Sequence, residues 1–168
     1  MKYATIKEYD IANGPGVRLS LFVSGCNHHC PECFNEVAWS FDYGNEFTKE
    51  IEDEILDKVG SDFYKGLSLL GGEPLDPRNQ EGLLSLVKRF KEKYIDKTVW
   101  CYTGYTWESI PGDREILKYI DVLVDGPFLI DKKDIRLIFR GSSNQRIIDV
   151  QKSLKENKVV VIDPNIWS

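Results

Sequence analysis

Short apolar runs that end in glycine-bearing turns recur along this chain, and no other feature constrains the fold as tightly. Val17 to Ser24 leads into Gly25-Cys26, and Leu67 to Leu70 into Gly71-Gly-Glu-Pro74. Thr98 to Tyr102 leads into Thr103-Gly-Tyr-Thr106, and Val122 to Val124 into Asp125-Gly-Pro127. Runs this short and this rich in Val and Leu read as strands. Helical periodicity fills the intervals. Thr48 is a candidate N-cap for a helix carrying Ile51, Ile55, Leu56 and Val59, with Gly60 as its stop. Leu83, Leu84, Leu86, Val87 and Phe90 mark a second amphipathic helix, and Arg114 to Tyr119 a third. Such alternation favours right-handed βαβ units and a mainly parallel sheet, in which ligands gather at the strand carboxyl ends. Beyond Phe128, Ile135 to Phe139 and Val159 to Ile162 read as strands, and Arg146 to Val150 as a strand or a helix start.

The first of these turns carries most of the chain's sulfur. Three of its four cysteines stand in Cys26-Asn-His-His-Cys30-Pro-Glu-Cys33. Spacings of three and two residues let one loop wrap a compact centre. Three thiolates can ligate three corners of a four-iron cluster and leave the fourth iron open to a ligand. The same thiolates with His28 or His29 can instead close a Cys3His zinc site, which would add folding stability without chemistry. As loop histidines, both also read simply as solvated side chains. Cys101, inside an apolar run, reads as a small buried hydrophobe.

Bulk properties narrow the field. At 168 residues the chain fits one domain, residues 1–168, and falls short of the roughly 250 residues of a complete eight-fold α/β barrel. A net charge of −5 argues against a general nucleic-acid binder, which shows a basic excess. No apolar stretch approaches the about 20 residues that span a bilayer, and Met1 to Lys7 lacks the apolar core of a secretory signal, so a cytoplasmic protein away from membranes is expected. Clustered thiols in a reducing compartment point to metal or redox chemistry rather than disulfides.

The remaining turns offer polar groups. In Gly71-Gly-Glu-Pro74 the glycines admit a ligand close to the backbone, and carbonyls or Glu73 can accept from an ammonium group, although the same residues also make a plain strand-to-helix turn. Thr103 and Asp125 can reach a ribose or a charged group, or serve ordinary turns. Arg140-Gly-Ser-Ser-Asn-Gln-Arg146 can bind an anion or a partner, or form a solvated loop.

Taken together, the C-x3-C-x2-C loop followed by Gly71-Gly-Glu-Pro74 resembles the radical S-adenosylmethionine superfamily. Asn13-Gly-Pro-Gly-Val-Arg18, Leu21-Phe-Val-Ser-Gly-Cys26, Cys33-Phe-Asn35, Trp39, Tyr102-Thr-Gly-Tyr105, Val122-Leu-Val-Asp-Gly126 and Arg140-Gly-Ser-Ser-Asn-Gln145 narrow it to the glycyl-radical activases of anaerobic ribonucleotide reductase. The resemblance implies an incomplete α/β barrel of mainly parallel strands. It implies a [4Fe-4S] cluster on Cys26, Cys30 and Cys33, which is catalytic through reductive cleavage of S-adenosylmethionine. It implies Gly71, Gly72 and Glu73 at the methionine end of that cofactor. Glu32, Cys33 and Phe34 would border the adenosine, Glu32 through its backbone because an aromatic residue often stands there in the superfamily. Asn35, Thr103 and Asp125 are further candidates. The implied partners are the large reductase subunit, whose glycine receives the radical, and an electron donor such as a flavodoxin-type reductant. The alternatives are an activase of a different glycyl-radical protein, a carboxy-deazaguanine synthase-like enzyme, and a zinc-stabilised binding module.

Overall fold

The computed structural model describes residues 1–30 and 39–168. Seven strands, β1 (Lys2–Asp10), β2 (Val17–Val23), β3 (Asn45–Glu46), β4 (Tyr64–Gly71), β5 (Thr98–Tyr102), β6 (Val122–Asp125) and β7 (Arg146–Asp149), form one sheet in the order β3-β1-β2-β4-β5-β6-β7. The inner strands β2, β4, β5 and β6 run parallel. The flanking pairings, β1 with β2 and β3 and β6 with β7, are antiparallel, so the expected parallel sheet holds for its centre and not its edges.

Helices α1 (Lys49–Lys58) and α2 (Pro77–Lys93) connect the parallel strands. Thr48 caps α1 by accepting from the Ile51 N–H. Asp76 caps α2 and Pro77 occupies its first turn, where a missing N–H costs nothing. The third predicted helix is a 3-10 turn, Glu115–Tyr119, too short to close α-helical rings. Arg146 to Val150 divides: the strand ends at Asp149, whose carboxylate accepts from Lys152 N and starts α3 (Val150–Glu156). Ile135 to Phe139 is not a strand. Its two ends pull apart, with Ile135 90% exposed while Phe139 packs edge-on against Trp100, and only Lys133 and Ser142 bridge nearby. Val159 to Ile162 contributes only the bridge from Val161 to Ile148.

Strand alternation sorts the inner residues onto two faces. Leu19, Leu21, Leu67, Leu69, Val99, Cys101 and Leu123 pack with Ile55, Leu83, Leu86 and Phe90 of the helices in one apolar core. On the other face Trp100, Val122, Val124 and Ile147 meet Phe139, Ile162 and Trp167. The β2 and β4 part of that face is polar. Arg18 is fully buried and donates to Ser68 Oγ (2.7 Å) and to the carbonyls of Pro15, Leu67 and Thr98. Ser68 Oγ donates to the Asn13 carbonyl, and Asn13 Nδ2 donates to Asp10 Oδ2 at 2.6 Å. A hydrogen-bonded chain therefore joins two buried opposite charges and pins the Asn13–Gly16 turn beneath the parallel strand ends.

Burial works against the charged form of Asp10, yet donors from Ser20, Asn13 and Ala12 N, with Lys7 at 3.7 Å, hold its carboxyl below the ordinary 3.8. Arg18 and the Tyr102 phenol are the other titratable groups that feel it. A carboxylate whose folded pKa is depressed adds stability that is present above its unfolded pKa and lost as pH falls through its folded value. Asp10→Asn is therefore expected to cost about 1–3 kcal/mol at neutral pH. In denaturant titrations its deficit should shrink as the pH drops below about 4; a deficit independent of pH would contradict the assignment.

Candidate functional site

The carboxyl ends of β2, β4, β5 and β6 lie side by side, and one cavity of about 680 Å³ opens over them. That volume is within the roughly 300–1,000 Å³ of small-molecule sites. Cys26 and Cys30 enter it from the β2 end, Gly71, Gly72 and Glu73 from β4, and Thr103 from β5. Six residues singled out in the sequence are thus brought together from three separate turns. Asp125 is not on the cavity wall: it is 1% exposed and engaged by Arg146, Nη2 to Oδ2 at 2.6 Å, and by the Trp107 N–H. Glu32, Cys33, Phe34 and Asn35 lie outside the described residues.

Main-chain bonds fasten the glycine turn to the start of the cysteine loop. Gly72 N donates to the Val23 carbonyl at 2.8 Å, and Glu73 N to the Gly25 carbonyl at 2.7 Å. Gly71 has φ +113°, and a Cβ there would stand 2.6 Å from the Val23 oxygen. A Cβ on Gly72 would come 2.5 Å from the Gly25 oxygen. The two glycines are needed so that the loop and the turn can touch.

Glu73 completes the junction. Its carboxylate is 1% exposed and all four of its contacts are within the protein. Oε1 accepts from Gly104 N at 2.7 Å and lies 2.7 Å from His28 Nε2; Oε2 accepts from Thr103 Oγ1 at 2.7 Å and Leu75 N at 2.9 Å. His28 also rests edge-on against Tyr105. His29 is exposed and stacks on Trp39 at 4.2 Å, and Cys26 N donates to the Trp39 carbonyl. Sequence reasoning weighed His28 as a zinc ligand or a solvated side chain and not as a partner of Glu73, because nothing local shows that a buried carboxylate waits 45 residues on.

The sulfur environment suits a metal-bound thiolate. Cys26 is 8% exposed, and burial pushes its thiol up to about 11, aided by the negative charge of Glu73; the backbone N–H groups of His28 and His29 act in the other direction by donating to the sulfur. Amides aimed at sulfur are the arrangement that supports an anionic ligand once a metal neutralises it. Cys30 is free and half-buried on the same cavity, so the donor set fits a sulfur-ligated cluster. Cys101, fully buried in the helix-side core, takes no part.

The Arg140–Arg146 run is a folded wall rather than a solvated loop. Gln145 Oε1 accepts from Gly141 N (2.8 Å) and Ser142 N (3.1 Å), Gln145 Nε2 donates to the Gly126 carbonyl, and Arg146 pairs with Asp125 and Glu108. Arg140, Gly141 and Gln145 line the cavity opposite the strand ends.

Comparison with known proteins places this arrangement. The family described as "4Fe-4S single cluster domain" matches residues 12–148. An anaerobic ribonucleoside-triphosphate reductase-activating protein of Pasteurella multocida is 47% identical over 152 residues, covering 88% of this chain and 96% of the relative. Proteins of the same description from Escherichia coli K12 (44% over 148 residues, 86% and 96%) and from Enterobacteria phage T4 (39% over 149 residues, 88% and 93%) match over a similar extent. With relatives this similar along nearly their whole length, the chain belongs to the 4Fe-4S single cluster domain family of anaerobic ribonucleoside-triphosphate reductase-activating proteins.

Proposed function

We propose that this chain installs the glycyl radical of anaerobic ribonucleotide reductase, using a [4Fe-4S] cluster on Cys26, Cys30 and Cys33 to cleave S-adenosylmethionine reductively. The observation that carries the reading is the junction in which the cysteine loop, the Gly71-Gly72-Glu73 turn and the end of β5 meet around one cavity. When bound, the cluster and its cofactor supply an electron and a 5′-deoxyadenosyl radical that takes a glycine Cα hydrogen, leaving methionine as co-product.

The chain's own residues bind and orient. Three thiolates leave one iron without a protein ligand, the position a substrate's amino and carboxylate groups need. Gly71 and Gly72 bring the backbone against the methionine end. Glu73 acts from beneath, its carboxylate holding His28, Thr103 and Gly104 in place. Glu32, Cys33, Phe34 and Asn35 are proposed to border the adenosine, with Thr103 beside it. Asp125 acts indirectly, through the pair with Arg146 that anchors the far wall. The single domain, residues 1–168, is proposed as an incomplete barrel whose open side admits a loop of the large reductase subunit while the complex excludes water. A flavodoxin-type reductant in the cytoplasm fits as electron donor. No helix among the described residues is long and apolar enough to cross a membrane.

Under anaerobic reconstitution with reductant, S-adenosylmethionine and the large reductase subunit, the parent chain should give the glycyl-radical signal in electron paramagnetic resonance. Cys30→Ala should lose iron, inorganic sulfide and the radical together; full radical yield from that variant would sink the assignment. Glu73→Gln is expected to cost about 1–3 kcal/mol, because the amide NH2 then faces a backbone N–H, of Gly104 or of Leu75, that can only donate. Thermal unfolding checks this, and an unaltered midpoint would show that the junction does not depend on the carboxylate.

A further inference from the structure

Three polar atoms on the cavity lining are buried and have no hydrogen-bond partner among the described residues: the Trp39 indole Nε1, the Tyr102 hydroxyl and Arg140 Nε. Each is costly to leave so, because a buried donor without an acceptor keeps the full penalty of losing water. Several polar groups nearby are satisfied. Below Tyr102 on the same sheet face, Ser68, Arg18 and Asp10 exchange bonds with one another or with the backbone, and Arg140 Nη1 donates to the Gln145 carbonyl at 3.1 Å. Among the described residues Ser24 Oγ, Arg114 Nε and Asn144 Oδ1 are also unpaired, but none of these three residues lines the cavity.

The register sets the phenol apart. Phe22 pairs with Leu70 and Tyr102 with Val124, so the topmost inward-facing tier is apolar except for one phenol. Burial raises the Tyr102 pKa, so the hydroxyl keeps its proton and stays a donor. Arg140 belongs to the same lining, next to Phe139, which holds a left-handed φ of 57°. A phenol and a guanidinium N–H on one cavity lining ask for acceptor oxygens.

We propose that Tyr102 and Arg140 receive main-chain carbonyls of the partner segment that carries the target glycine, an inference that rests on the function proposed above. The only anionic group of S-adenosylmethionine that could meet Arg140 is its carboxylate, which the function proposed above assigns to the open iron, whereas a neutral amide carbonyl is an acceptor for both donors. Space favours the same ligand: Gly126 lines the cavity with no atom closer than 3.6 Å to where a Cβ would stand, which leaves room for another backbone. Two donors holding successive carbonyls would fix the Cα hydrogen before the radical forms, which is what efficient transfer of a short-lived radical needs.

The test is a pair of saturation curves for glycyl-radical formation, one in reductase and one in S-adenosylmethionine. Tyr102→Phe should raise the half-saturating reductase concentration by about fivefold and Arg140→Gln by about tenfold, while half-saturation in S-adenosylmethionine stays in place. Tyr102→Phe removes only an oxygen that the protein itself leaves unpaired, so its thermal midpoint should equal or exceed the parent's; this separates lost binding from lost folding. Unchanged half-saturation in reductase for both variants overturns the proposal. So does an equal rise in half-saturation for S-adenosylmethionine, which would assign both donors to the cofactor. If the parent chain forms no radical at any reductase concentration, the failure belongs to the proposed function instead.

Discussion

A carboxylate that is 1% exposed holds three turns of this chain in register. Glu73 gathers His28 from the cysteine loop, Leu75 N from its own turn and Thr103 and Gly104 from the next strand's end, all within 2.9 Å. Hydrogen bonds to a buried charge are among the stronger ones available, and losing one of several leaves the remainder poorly satisfied. The cysteine loop therefore does not hang from β2 alone. It is fixed to the glycine turn by backbone bonds and to β5 through Glu73, so a cluster on the loop is held at a set distance from whatever the glycine turn binds.

The sheet beneath supports this junction differently on its two faces. Helices α1 and α2 close one face with a buried apolar core, which supplies stability without chemistry. The other face begins as a chain of buried polar groups, Asp10, Asn13, Ser68 and Arg18, and ends at the cavity in Tyr102. Polar groups in the lower tiers satisfy one another, and those at the top are left for a ligand. That gradient is the physical content of a sheet whose strand carboxyl ends form a site.

Much of this was legible in the sequence where apolar periodicity is strong. The four parallel strands, both long helices and the convergence of cysteine and glycine turns follow from runs such as Leu67 to Leu70 and caps such as Thr48. The edges were harder to read. β1 carries Lys2, Lys7 and Glu8 and presents no continuous apolar face, so it leaves no strand signal. Ile135 to Phe139 imitates a strand in composition, but no neighbouring strand offers it a ladder. Asp125 looked like a ligand group because it ends a strand beside a glycine. The antiparallel register sets Arg146 directly opposite, and a buried carboxylate takes the nearest cation. The pairing of His28 with Glu73 was missed for the opposite reason: the partner is remote in sequence, and convergence of that kind is a property of the fold.

The central claim is that the cysteine loop and the glycine turn form one site, with an iron left open to a cofactor held by that turn. Adding S-adenosylmethionine to the reduced cluster, without the reductase, and recording its electron paramagnetic resonance spectrum tests this directly. The account predicts a saturable change in the cluster's g values, with a weaker apparent affinity in Glu73→Gln than in the parent chain. A spectrum that S-adenosylmethionine leaves untouched at saturating concentration would contradict it.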